Sequence, residues 1–277
     1  MTKLTIGGGN LPAKKPGALT IGAKTTPATT SDAPQSGALS TQIQKAQDRA
    51  AFRQKPFLVY LMVDMTGSRN QTRDVMRPHE QSLAHLIMNS GGNHPVVVKG
   101  IHHYDSHASA PIDLKSEGDI LKFLSKSPVV GATNIYGALQ SYANDQTKDV
   151  LSLGVLVGDA YDGDDGASLV ALAGKLKEQR RPIIVAHQET GQDDFCSNVG
   201  PAIATASGGL DFSLGTQPEE LHALLANYKK ILTATPDELK ATASDQKTGG
   251  IVLSGSGDTQ RFARAQAQTL LLTFDKS

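Results

Sequence analysis

Residues 57–63 read Phe-Leu-Val-Tyr-Leu-Met-Val, an apolar run without a break. A strand with one face in water alternates apolar and polar side chains, so an uninterrupted run implies a strand covered on both faces. Pro95–Ile101, Val150–Val157 and Pro182–Ala186 read as further strands. Helical patterns separate them. Pro78 suits the first turn of a helix carrying Leu83, Leu86 and Ile87. Asp119–Leu124 is a short helix, and Asn134–Asn144 places Ile135, Leu139 and Tyr142 on one face. Ala167–Arg180 keeps Leu169, Leu172, Ala173 and Leu176 in helical register. Ala202–Ala206, the stop Gly208-Gly209 and the edge strand Leu210–Ser213 follow, and Pro218–Leu232 closes the series as an amphipathic helix. Repeated strand–helix alternation predicts an α/β fold: a doubly wound, mostly parallel, Rossmann-like sheet flanked by helices on both faces.

This pattern occupies residues 55–235. Residues 1–54 differ: the first 40 are rich in Gly, Pro, Ala, Ser and Thr, too poor in apolar surface to offset ordering entropy. They predict a flexible arm, with a helix over Thr41–Arg53 leading into the domain. Within the arm Leu4-Thr5-Ile6-Gly7 recurs as Leu19-Thr20-Ile21-Gly22, and Gly17-Ala18-Leu19-Thr20 is echoed by Gly37-Ala38-Leu39-Ser40. A β-prone apolar triplet in a disordered background has the form of a strand-adding docking motif. Residues 236–277 form a C-terminal extension. Two β-like pieces there, Ile251–Leu253 and Thr269–Phe274, either add an edge hairpin or dock on a partner, and the sequence leaves both open.

Net charge is zero but unevenly spread. Residues 1–55 hold eight basic and two acidic side chains, a net of +6, while residues 56–235 hold 14 and 20, a net of −6. The basic arm has no aromatic before Phe52 on which bases could stack, which disfavours nucleic acid as a partner. One cysteine, Cys196, excludes an internal disulfide framework and a Cys-cluster zinc site. No stretch reaches about 18 apolar residues, and the N-terminus lacks a signal-peptide core, so the expectation is a cytoplasmic protein with no membrane span.

In doubly wound sheets ligands bind beyond the carboxyl ends of the strands. After the first strand comes Asp64-Met65-Thr66-Gly67-Ser68; after the 150–157 strand come Gly158 and Asp159; before the helix at 134 comes Gly131-Ala132-Thr133. Together these loops offer two carboxylates and three hydroxyls. An all-oxygen set with so few carboxylates suits a hard divalent cation that keeps other positions for water or an outside anion. Such a site binds the carboxylate of another molecule rather than caging the metal.

At these residues the chain resembles the von Willebrand factor A (VWA) family with its metal-ion-dependent adhesion site. The family pattern is Asp-x-Ser-x-Ser, a distant Thr, and a distant Asp after a later strand. Here Asp64, Thr66 and Ser68 match the first element, with Thr66 in place of the first Ser; Thr133 matches the second and Asp159 the third. Ala206-Ser207-Gly208-Gly209 before a short strand and a final helix is also family-like. The resemblance implies metal ligation by Ser68, Thr66 and Thr133, with Asp64 and Asp159 in or just behind the coordinating layer. It implies Mg²⁺, or alternatively Mn²⁺ or Ca²⁺, and a non-enzymatic protein-interaction module whose partner offers an Asp or Glu carboxylate. The Asp-x-Thr-Gly-Ser form looks most like intracellular bacterial VWA proteins of the tellurium-resistance type, which implies a scaffold or adaptor in a stress-response or defence assembly. AAA+ ATPases, kinases and phosphatases are the implied partners.

Other candidates weigh less. His102, His103 and His107 suggest a transition-metal site but read more simply as polar residues at a strand end. Tyr161, Asp162, Asp164 and Asp165 crowd the loop after Asp159, where they either extend the cation site or form a solvated acidic loop. Gly7-Gly8-Gly9 and Gly255-Ser256-Gly257 lack the strand-before, helix-after context of phosphate loops. Two alternative functions remain: a structural subunit that polymerises through its terminal motifs, and a metal-dependent phosphoesterase, which would need a general base and a phosphate clamp near the ion.

Overall fold

The computed structural model describes residues 36–67, 69–104, 107–127, 131–145, 151–158, 166–187, 195–213, 216–246 and 248–274. The chain divides into two units, Met1–Thr41 and Gln42–Ser277. The described part of the first is the opening of helix α1, Ser36–Gln54, which begins five residues before the sequence expectation. The apolar repeats at Leu4–Ile6 and Leu19–Ile21 lie outside the described residues.

In the second unit the chain runs β1 (Phe57–Asp64), α2 (Arg69–Asn89), β2 (Val96–Tyr104), β3 (His107–Ala108), β4 (Ile112–Leu114), α3 (Glu117–Leu124) and α4 (Ile135–Asn144). It continues with β5 (Leu151–Gly158), α5 (Gly166–Glu178), β6 (Ile183–His187), a π-helical turn at Phe195–Val199, α6 (Gly200–Ser207) and β7 (Leu210–Ser213). Helices α7 (Pro218–Thr233), α8 (Pro236–Ala243) and α9 (Gly257–Phe274) end it. The sheet order is β3-β2-β1-β5-β6-β7, with β4 also on β2. β2, β1, β5, β6 and β7 are parallel, while β3 and β4 run antiparallel to β2. From β1 the chain moves outward to β2, then returns past β1 to β5. That reversal opens a crevice at the carboxyl ends of β1 and β5.

Every residue of β1 is buried, as its unbroken apolar run requires. Its alternate residues serve two cores. Phe57, Val59, Leu61 and Val63 pack with α2, α3 and α7, whereas Leu58, Tyr60 and Met62 pack with α4, α5 and α6. Full burial of each large apolar side chain stabilises by roughly 1.5–3 kcal/mol. Gly208, at φ 73°, ends α6 in the left-handed conformation and turns the chain into β7.

Two local expectations are corrected, and one pair of strands is added. Helix α2 starts at Arg69, so Pro78 lies inside it rather than in its first turn. Proline lacks the N–H, so one rung of the helical ladder is missing there, and the flanking turns carry the helix past it. The pair β3 and β4 was not read, because both are too short to show a period. Thr269–Phe274 is not a strand but the end of α9. The buried positions Phe262, Ala263, Ala267 and Leu270 have helical spacing and, with Leu239 of α8, join the core beside α2 and α7. Among the described residues no helix is long and apolar enough to cross a membrane.

Candidate metal centre

Asp64 is the last residue of β1, at the carboxyl end of the crevice, and it is fully buried. The sequence places it in the loop after the first strand; the strand runs one residue further than the apolar run because Met65 N–H donates to the His103 carbonyl at 3.0 Å, continuing the ladder with β2. The chain then turns back on itself. Thr66 N–H donates to Asp64 Oδ1 at 2.8 Å, and the Thr66 hydroxyl donates to Asp64 Oδ2 at 3.1 Å. This is the local geometry that the Asp-x-Thr spacing permits: a short acid caps the turn that follows it.

Thr133 arrives from far along the chain. It sits one residue before Asn134, whose side chain accepts from Gly137 N–H at 2.7 Å and so caps α4. That cap fixes where α4 begins and therefore where Thr133 points. Its hydroxyl donates to Asp64 Oδ2 at 3.4 Å. Thr66 and Thr133 are each 2% exposed. One carboxylate oxygen thus gathers two hydroxyls from segments 67 residues apart in sequence.

Gly158 ends β5 beside them. A Cβ built there would lie 3.5 Å from Asp64 Cβ and 3.9 Å from its Oδ2, ordinary contact distances, so Gly158 packs directly beside the carboxylate. Gly67 stands in open space. Its φ is not positive, and a Cβ there would meet no atom within 4 Å, so the loop itself does not require glycine. Sequence reasoning missed both points, since neither spacing nor composition reports on free space.

Of the five residues singled out, Asp64, Thr66 and Thr133 therefore come together. Ser68 and Asp159 lie outside the described residues, as do Tyr161, Asp162, Asp164 and Asp165. The histidines part company. His102 stacks on Phe123 with ring centres 3.8 Å apart and Nε2 3.3 Å from the Phe123 carbonyl, on the α3 side of the sheet. His103, the in-register neighbour of Asp64, faces the α4 side with Val97 and Ile101, and His107 is exposed on β3. Among the described residues no three His, Cys, Asp or Glu side chains group to hold a metal. The donor set at Asp64 is carboxylate plus hydroxyls, all hard oxygens, and hydroxyl rotors can turn a lone pair toward a cation. The residues present fit Mg²⁺ chemistry rather than zinc chemistry.

No family model matches the chain, and no curated protein matches it in sequence. Solved structures do. A von Willebrand factor type A protein from Catenulispora acidiphila aligns over 63% of this chain at 12% identity, with a TM-score of 0.51. This chain spans 43% of the length of that protein. The von Willebrand factor domain of a type V pili tip protein from Porphyromonas gingivalis aligns over 66% of this chain and 98% of its own length, at 10% identity and a TM-score of 0.53.

The fold is of the VWA type.

At such low identity the likeness concerns the fold alone. Within the VWA-type frame, Asp64 stands at the carboxyl end of the central strand and Thr133 at the entrance to α4.

Proposed function

We propose that this chain is a divalent-metal-dependent protein-interaction module, with Mg²⁺ held by Thr66 and Thr133 together with Asp64, and with Ser68 and Asp159 completing the set. The observation that carries it is the convergence of the Thr66 and Thr133 hydroxyls on one buried oxygen of Asp64, at the point where the strand order reverses. When bound, the ion supplies Lewis-acid attraction for an anionic oxygen brought from outside. The chain's own residues do the rest. Asp64 orients both hydroxyls, the Asn134 cap holds Thr133 in place, and the open space over Gly67 admits the partner's side chain. The partner offers an Asp or Glu carboxylate. Neutral hydroxyls leave a divalent charge under-compensated, and a carboxylate from outside offsets it.

The role is non-enzymatic: an intracellular scaffold or adaptor in a stress-response or defence assembly, in the style of the tellurium-resistance VWA proteins, with an AAA+ ATPase, kinase or phosphatase as partner. Capture of proteins from native lysate on the immobilised full chain tests it, with Mg²⁺ in one arm and EDTA in the other. A partner retained in Mg²⁺ and released by EDTA is expected. A partner retained equally in both arms contradicts the metal-dependent reading.

A further inference from the structure

Helix α8 ends on a left-handed aspartate. The Asp245 N–H donates to the Thr242 carbonyl at 3.2 Å, and the Gln246 N–H donates to the Ala241 carbonyl at 2.9 Å. These are the paired bonds of a helix stop whose left-handed position glycine ordinarily fills. Here Asp245 fills it, at φ 55°. That conformation costs a residue with a side chain, and such a cost persists where the side chain serves something besides the turn. The Asp245 carboxylate pairs with Arg264 Nη2 of α9 at 2.7 Å. The two ends of the pair are unequal: the Arg264 side chain is 28% exposed and that of Asp245 70%. A guanidinium carries five N–H donors, yet among the described residues Asp245 is the only polar partner of Arg264. A mostly buried cation is therefore compensated by a carboxylate that stands mostly in water.

Both charges line a cavity of about 130 Å³ between α8, α9 and residues 250–253. Main-chain bonding alternates along that segment. Ile251 N–H donates to Thr242 Oγ1 on the α8 side at 2.8 Å, and the Val252 carbonyl accepts from Lys230 Nζ on the α7 side at 2.8 Å. In an extended chain every second residue faces the same way, so Leu253 turns its N–H and C=O to the α8 side, as Ile251 does. Among the described residues neither group has a hydrogen-bond partner, and neither does the side-chain amide of Gln246, which also lines the cavity. One small volume thus presents a cation, an anion, a main-chain donor and a main-chain acceptor.

We propose that this cavity binds a small free α-amino acid as its zwitterion. The carboxylate of the ligand takes the unused donors of Arg264 and accepts from Leu253 N–H. Its ammonium pairs with Asp245 and donates to the Leu253 carbonyl. A plain carboxylate would compete with Asp245 for the guanidinium, and a plain amine would leave the guanidinium as it is. The zwitterion brings one charge of each sign and leaves the net charge of the site unchanged. Size narrows the class further. A cavity of about 150 Å³ holds a benzene molecule, so about 130 Å³ suits glycine, alanine or serine and is too small for a peptide. The site uses no residue of the Asp64 centre.

Heteronuclear NMR of the isotope-labelled full chain tests it, with glycine, L-alanine and L-serine as probes. EDTA is present throughout, which keeps the test independent of the Asp64 site. A shift of the Leu253 amide that saturates with at least one probe, at about millimolar concentration, is expected of a ligand with so few atoms. Propionate and alanine amide each lack one of the two charges and should bind about tenfold more weakly or worse. Asp245→Gly gives the helix stop its usual residue and removes the carboxylate, so the fold is kept; Arg264→Gln removes the guanidinium. Each should weaken the binding probe about tenfold or more, with circular dichroism confirming that the variant is folded, while Asp64→Asn binds it as the parent does. No saturable shift at Leu253 with any of the three probes, propionate binding as well as L-alanine, or parental affinity in the folded Asp245→Gly variant overturns the proposal.

Discussion

The two ends of the sheet treat a carboxylate in opposite ways. Toward the amino end Asp145, just past α4, accepts from Tyr60 Oη at 2.6 Å and forms an ion pair with Lys99 through the same oxygen. Arg181 lies 4.1 Å from the centre of the Tyr142 ring and donates to the Ala143 and Asp145 carbonyls at 3.3 and 3.1 Å. Burial raises the Tyr142 pKa, against the opposing pull of Arg181 and Ser152, so the hydroxyl stays protonated and bonds Ser152. At the carboxyl end Asp64 is gathered by two hydroxyls and one backbone N–H. A fixed ammonium compensates charge; neutral donors orient a carboxylate without neutralising it. The first arrangement ties α4 to the sheet. In the proposed function, the second prepares oxygens for a cation from outside.

If that contrast is right, damage at the two ends should look different. Asp145→Ala removes the acceptor of Tyr60 and the counter-charge of a Lys99 only 22% exposed. We expect a loss of about 2–4 kcal/mol in urea unfolding, with Mg²⁺ affinity of the folded fraction unchanged. A mild effect on stability, or a loss of metal binding, would erase the distinction. At the other end Thr133→Val keeps the volume and removes the hydroxyl. Mg²⁺ affinity should fall about tenfold or more, with unfolding free energy within about 1 kcal/mol of the parent.

The contrast extends to the C-terminal helix. Burial pushes the Glu220 carboxyl up, but hydrogen bonds from the Thr259 hydroxyl, the Ser256 N–H and the Ser256 hydroxyl outweigh it and hold its pKa below the ordinary value. A folded pKa that is lowered stabilises above the unfolded value, and that stabilisation is lost as pH falls through the folded value. Hydrogen exchange at the start of α9 should therefore quicken, relative to the chemical rate, as pH drops below about 4.5. Glu220→Gln should abolish that pH dependence; if it persists, the titrating group is another. The smallest expected effect is at Gly67. Gly67→Ala meets open space and should change stability by less than about 0.5 kcal/mol, yet it should weaken capture of the proposed carboxylate-bearing partner.

Most of the sheet was legible because burial on both faces writes itself as unbroken apolar runs, as in Phe57–Val63. The C-terminal helices were less so. Thr235-Pro236-Asp237-Glu238 forms a capping box that opens α8, and this signal stood in the sequence unread. Leu270-Leu271-Leu272 reads locally as a strand, and only the longer spacing back to Phe262 shows the helix. At the site, Asp64, Thr66 and Thr133 were legible because an oxygen-bearing motif at strand ends is a chemical pattern. The depth of Asp64, the closeness of Gly158 and the open space at Gly67 are properties of packing, which no single segment encodes.

The central claim rests on Asp64 as the organiser of a cation site. Asp64→Asn keeps the shape and the bond from Thr66 N–H while removing the charge. Titrating Mg²⁺ into the parent and the variant by calorimetry, with circular dichroism confirming that both are folded, tests it directly. Heat of binding in the parent and none in the variant is the predicted result. Equal Mg²⁺ affinity in the two, or none in the folded parent, would contradict the account.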